Sequence, residues 1–372
     1  MREDPYIPPP DALTLTATAD NSSVMLKKVG SLSNTFEVDT GNGWTPYNLG
    51  TSITRNRGET VKFRCVNHPT TQSATKYIHF EMSGVFEASG DCNSLLSPNY
   101  ASIRSLNGYS YAFYKLFDDC GSLTTAPALP ATTLEVDCYG AMFARCVSMT
   151  QAPALPATTL AKDCYSGMFS GCTALTQVPS LPAMELKESC YESMFKDCVS
   201  LKQAPSALPA IDAAPRCYFG MFEGCTSLIN APTIAATTCR IGSYNENNAH
   251  LSYMFRNCTS LANPPEIHLT TLAYHALYFM FAGCTSLIRA PHLPAMTLAE
   301  GCYYGIFSRC SSLTEASIAA TTTATNALTN WLDGVAASGT VYADPSFADL
   351  PTDSASGVPT GWNRRNIADY PN

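Results

Sequence analysis

From Cys92 to Leu313 the chain repeats one phrase: an aromatic residue, two further residues, a cysteine, one residue, Ser, Leu, and then a proline pair. The full unit, Met168 to Ser193, returns every 26 residues with small exceptions. Its anchoring cysteines are Cys92, Cys120, Cys146, Cys172, Cys198, Cys225, Cys258, Cys284 and Cys310. A fixed period of this length is the signature of a solenoid, because one unit cannot bury its apolar face until a neighbour stacks on it. The repeated residues therefore build core, and function is to be sought where the phrase is stretched or varied.

Sixteen cysteines raise the question of disulfides or metal sites. Five more, Cys138, Cys164, Cys190, Cys217 and Cys302, lie eight residues upstream of an anchoring cysteine, yet in three rungs that slot holds Ala112, His250 or Ala276. A bond within each rung would not survive such losses. In a helical segment eight residues rise about 12 Å, beyond the roughly 4.4–6.8 Å between bridged Cα atoms. Zinc-type spacings of two to four residues are absent. These cysteines read as a ladder of small buried thiols, with bonds between adjacent rungs as the alternative. His250, in a cysteine slot, reads as a core residue.

Residues 11–91 follow period two instead. Leu13, Leu15 and Ala17 alternate with threonines; Val61, Phe63 and Cys65 alternate with Lys62 and Arg64; Ile78, Phe80 and Met82 do the same. Such strands predict a β-sandwich-like domain that caps the array. Residues 1–10 read as a Pro-rich tether, 92–316 as the array and 317–372 as a C-terminal cap, with an amphipathic helix over 325–337 and a strand over 339–343. Within a rung, Leu123 to Pro127 predicts a short strand and 129–134 a turn. Ala161 to Gly171 predicts a short helix, with Cys164, Met168 and Cys172 on one face. Strand, turn and helix once per rung define an α/β leucine-rich-repeat solenoid.

The phrase Met142 to Tyr165 resembles the BspA-like leucine-rich repeats of Bacteroides surface proteins, over roughly residues 92–316. Leu26 to Gly30 and Asn326 to Trp331 also resemble the flanks of such proteins. The resemblance implies an exported protein, either at the cell surface, with lipid anchoring through a removed N-terminal segment as one route, or secreted. It also implies adhesion or protein–protein interaction through the array, with a structural spacer or a glycan-binding module as alternatives.

No GxSxG, HExxH, P-loop or dinucleotide-type glycine motif is present, and scattered carboxylates such as Glu188, Asp197 and Glu300 form no evident acid/base pair. The chain reads as a non-enzyme with no cofactor and no metal. A net charge of −8 without basic clusters argues against nucleic acid, and no apolar run reaches the roughly 20 residues of a membrane span. The expected partner is a macromolecule, a host or matrix protein or a glycan. The step from Cys225 to Cys258 is stretched to 33 residues, and such insertions become surface loops. Tyr244, Asn245, Glu246, His268, Tyr274 and His275 are therefore grouped as a candidate polar-aromatic patch. The columns between Leu and Ala-Pro, including Gln151, Gln177, Gln203 and Arg289, form a second candidate surface.

Overall fold

The computed structural model describes residues 11–68, 72–240 and 249–370. Eight N-terminal strands form first: β1 Leu13–Ala17, β2 Ser22–Val29, β3 Thr35–Asp39, β4 Trp44–Tyr47, β5 Ile53–Arg55, β6 Thr60–Asn67, β7 Tyr77–Ser83 and β8 Phe86–Ser89. They make two sheets, β5-β2-β7 and β4-β3-β6-β1-β8, the second extended by β9, Leu123–Thr125. The period-two alternation places Leu13, Leu15, Val61, Phe63, Ile78 and Phe80 in the core. β9 pairs with β8 in parallel, Phe86 opposite Leu123, so this second sheet continues into the array.

The array is a β-solenoid, and the α/β leucine-rich-repeat plan is overturned: no α-helix occurs among the described residues. The segments expected to be helical, Ala161 to Gly171 and its counterparts, are chains of tight turns. In residues 135–146 alternate N–H groups close a turn, as in Met142 to Tyr139 O (3.2 Å), Ala144 to Ala141 O (3.1 Å) and Cys146 to Phe143 O (3.1 Å). The residues between them donate to the next coil: Tyr139 to Cys164 O (3.0 Å), Ala141 to Ser166 O (2.8 Å), Phe143 to Met168 O (2.9 Å) and Arg145 to Ser170 O (2.7 Å). Every fourth residue is left-handed, Asp137 at φ 51°, Ala141 at 50° and Arg145 at 60°. The expected helix at 325–337 follows the same cadence, with Asn326, Asn330 and Gly334 at positive φ.

The physical reason lies in the period. A helical stripe drifts about 40° for every four residues, whereas this chain buries two adjacent columns at a strict spacing of four: Cys138, Met142 and Cys146 beside Tyr139 and Phe143. A chain of four-residue turns keeps both columns inward without drift. Gly, Asp, Asn and Ser recur at the left-handed positions because they tolerate that conformation. The short-strand expectation holds at β9, and Gln151 and Gln177 keep a single parallel bridge at the equivalent place. The strand expected at 339–343 forms, and Glu315–Ile318, Gly339–Ala343 and Trp362–Asn366 make a parallel three-stranded sheet.

Inside, rings stack coil upon coil. Phe117, Phe143, Phe169, Phe195, Phe222, Phe255, Phe281 and Phe307 lie nearly parallel at 5.5–5.7 Å. Phe80 of β7 closes one end at 5.1 Å, and Trp331 lies beyond Phe307 at 6.5 Å. From Cys146 onward the anchoring thiols form a matching ladder, each donating to a phenylalanine carbonyl one coil back, as in Cys146 to Phe117 O (3.2 Å) and Cys172 to Phe143 O (3.1 Å). The cysteines are free thiols, and all but Cys239 are buried. Burial pushes Cys120 and Cys172 up to about 12, which suppresses the thiolate that would react. Thiol titration of the unfolded, unreduced protein is expected to find all sixteen, with no more than Cys239 reacting quickly in the native state; a lower total would establish disulfides.

One left-handed position carries a perturbed charge. Asp163, at φ 55°, has its pKa raised from 3.8 to about 6, first by burial and then by Asp137. Between those values the folded chain holds a proton that the unfolded chain releases. Stability from this group is thus full below pH 3.8 and declines as pH rises through 6. Asp163→Asn is expected to raise Tm at pH 7 and flatten the decline between pH 4 and 6 in thermal melts; an unchanged pH profile would exclude this origin.

Candidate functional site

The predicted residues separate into three places. Tyr244, Asn245 and Glu246 lie outside the described residues. Gln151, Gln177 and Gln203 are exposed in the sheet-like column. There Gln151 bridges to Gln177, Gln203 to Asn230 and Asn230 to Asn263, and Asn263 Nδ2 donates to Asn230 Oδ1 at 2.6 Å. Arg289 continues the column, bridging to Glu315 and holding its carboxylate through Nε at 2.8 Å. Half-exposed, this pair contributes little stability, on the order of 0–1 kcal/mol, but it fixes the guanidinium.

Arg289 and His268 together border a groove of about 530 Å³. Its walls are the proline turns of two successive coils, Pro264–Pro265 and Pro291 with Pro294, and its third side is Tyr370. The proline turns cannot extend a backbone ladder because their nitrogens lack a proton, so they leave a concave apolar seat. Tyr370 comes from the C-terminal segment: after the strand Trp362–Asn366 a short 3₁₀ turn, Ile367–Asp369, swings the ring back over the array. Its hydroxyl donates to Ala290 O at 3.1 Å, and the Arg289 guanidinium lies 5.9 Å from the ring centroid. His292 Nδ1 is 2.7 Å from Ser317 Oγ. Burial lowers the His292 pKa and raises that of Tyr370, so near neutral pH the imidazole and the phenol are both uncharged. His268 is exposed, with Nε2 3.6 Å from Glu266 Oε2.

Tyr274 and His275 belong to a separate cluster of half-buried rings on the outer side of the turn segments. Their rings stack at 3.9 Å, and His275 leads to Tyr278 (4.7 Å) and Tyr278 to Tyr304 (5.0 Å). Tyr253 and Phe279 lie parallel, 3° apart in plane and 6.0 Å between centroids. Both are left-handed, Tyr253 at φ 59° and Phe279 at φ 50°, whereas the equivalent residues of the flanking coils are Gly220 and Gly305. A bulky residue there costs about 1–3 kcal/mol. Gly305 also makes room: a Cβ at that position would come within 2.5 Å of the Phe279 ring, and one at Gly301 would strike the His275 imidazole. Beside Tyr253 and Phe279 opens a polar recess of about 360 Å³ with Arg256, Asn257, Ser308, Arg309, Asn330 and Asp333 in its wall.

Sequence reasoning missed Tyr370, Tyr253, Tyr278, Phe279 and Tyr304. Tyr370 carried no signal, since it reaches its place only through the C-terminal fold-back. The others were legible, because Tyr278-Phe279 stands where other rungs place Ser166-Gly167 or Glu192-Ser193. His250 is a core residue, fully buried, with Nε2 2.7 Å from Arg240 O. Among the described residues no group of three or more His, Cys, Asp or Glu is placed to hold a metal ion, and no helix is long and apolar enough to cross a membrane. Comparison with protein-family models, curated proteins and solved structures found no match.

Tyr370→Phe removes the bond to Ala290 and is expected to lower stability by about 0.5–1.5 kcal/mol in urea unfolding. No loss would mean that the ring alone holds the C-terminal segment.

Proposed function

We propose that this chain is a non-enzymatic binding protein, exported to the cell surface or secreted, that holds a macromolecular partner on its solenoid. The observation that carries the reading is the groove between His268, Arg289 and Tyr370. It is concave and largely apolar, with Tyr370 held by a hydrogen bond and Arg289 by an ion pair within the protein, the character of a recognition site rather than of a packing defect. Because its walls belong to stacked coils and a pinned C-terminal segment, little side-chain freedom remains to be lost on binding. The mixture of proline rings, a tyrosine and a guanidinium suits an extended polypeptide segment, whose backbone carbonyls can accept from Arg289 while apolar side chains meet the prolines. Export rests on the resemblance of the repeat phrase to BspA-like surface proteins, and adhesion to host or matrix protein is the role that this resemblance favours.

The test is surface plasmon resonance on the whole chain with purified extracellular-matrix proteins and mucin. Wild type is expected to bind one of them, and the Arg289→Ala, Tyr370→Ala double variant to bind it about tenfold more weakly or worse, with circular dichroism unchanged. Binding by neither protein would favour the structural-spacer alternative.

A further inference from the structure

We infer that the outer aromatic cluster and the polar recess beside it form a second site, and that its ligand is a neutral saccharide. The inference is independent of the groove at Tyr370, which shares no lining residue with the recess.

Three observations converge on it. The first is where the aromatic residues go. The inner tyrosine stack runs through Tyr139, Tyr165, Tyr191 and Tyr218, after which its inner slots hold Leu251 and Leu277. Over those coils aromatics occupy outward positions, as Tyr253, Tyr278 and Phe279, joined by Tyr304 of the next coil, where Tyr303 resumes the inner slot. They are half-buried there, so each offers part of a ring to solvent.

The second is backbone strain. Tyr253 and Phe279 hold a left-handed conformation that the flanking coils give to Gly220 and Gly305 and earlier coils to Lys115, Ala141, Gly167 and Ser193, none of them aromatic, while Gly301 and Gly305 leave the space into which His275 and Phe279 lie. A core requirement does not explain bulky rings on strained, outward positions; a surface requirement does.

The third is the company these rings keep. Sugars are recognised by two chemistries at once: their C–H faces, carrying partial positive charge, settle on the negative face of an aromatic ring, and their hydroxyls need planar donors and acceptors. The recess supplies Asn257, Asn330, Asp333 and Arg309 at the edge of the Tyr253–Phe279 pair. Charge nearly balances, since Arg256 lies 3.6 Å from Glu223 and Arg309 shares the wall with Asp333. A phosphate or a nucleic acid would call for net positive charge, and the chain as a whole carries −8. At about 360 Å³ the recess is at the small end of ligand pockets, roughly 300–1,000 Å³, which suits a short saccharide unit better than a protein side.

The experiment is calorimetric titration of the full chain with maltohexaose, cellohexaose, xylohexaose, mannohexaose and lacto-N-tetraose, with AMP and inorganic phosphate as controls. At least one saccharide is expected to bind at millimolar concentration or below, and the controls not to bind. In Tyr253→Gly with Phe279→Gly the backbone receives the residue that flanking coils already use, so Tm is expected to hold or rise while affinity falls about tenfold or more. Asp333→Asn provides a second arm with little structural change and is expected to weaken binding without altering tyrosine fluorescence of the free protein. No saccharide binding, equal affinity in both variants, or binding of AMP or phosphate alone would overturn the assignment. None of these results bears on the Arg289–Tyr370 groove, whose own test uses different variants and partners.

Discussion

Everything in the solenoid depends on how its backbone divides its hydrogen bonds. In a turn segment such as 135–146, alternate N–H groups close a local turn and the rest reach the next coil. A helix would spend nearly all of them within the segment and could stand alone. Here about half depend on a neighbour, so a single coil is incomplete and the array is stable only as a stack. The left-handed residue at every fourth place turns successive N–H groups inward and along the stack by turns. Removing it would return the segment to a drifting spiral and break the register between coils.

That dependence makes the two ends a structural problem, and the chain answers each differently. At the N-terminal end β8 pairs with β9 and Phe80 covers the ring of Phe117, so a conventional sheet supplies both the hydrogen-bonding partner and the apolar cover. At the C-terminal end the indole of Trp331, fully buried, donates to Gly357 O at 2.8 Å, and Trp362 donates to Ala336 O at 2.7 Å. These last segments mimic a further coil, and the five-residue strand Trp362–Asn366 is left as the short edge of its sheet. The fold-back that completes this closure also brings Tyr370 to Ala290, so one wall of the groove is a by-product of sealing the end.

The repeat and the N-terminal strands could be read from the residues because both rest on spacing. Cys138, Met142 and Cys146 mark a coil, and Leu13, Leu15 and Ala17 mark a strand. The secondary structure of the coil could not be read from the same spacing, because i, i+4, i+8 fits one face of a short helix as well as a chain of four-residue turns. Two details favour the turns: the adjacent buried pairs Cys138–Tyr139 and Met142–Phe143, and the Gly, Asp or Asn at positions such as Asp137, Gly171 and Asn330. A helix has no use for a left-handed former every fourth residue. His268 and Arg289 were legible as surface residues of irregular rungs, but their meeting with Tyr370 depends on a contact across eighty residues, which periodicity cannot encode.

Uniform cores and varied surfaces are therefore two consequences of one geometry. Inward positions meet the same position of the next coil, so any change must suit both neighbours, and phenylalanine stacks on phenylalanine through the array. Outward positions meet solvent and can differ from coil to coil without disturbing the register. Strain sharpens the distinction: glycine is the least costly choice at the left-handed outward slots, so Tyr253 and Phe279 stand there against the local preference of the backbone. The interior stack supplies enough stability to tolerate them. Lys115, Ala141 and Ser193 also depart from glycine at this slot, but without a ring; the coils that place an aromatic there are the ones in which a ligand site is to be sought, and both follow the insertion between Cys225 and Cys258.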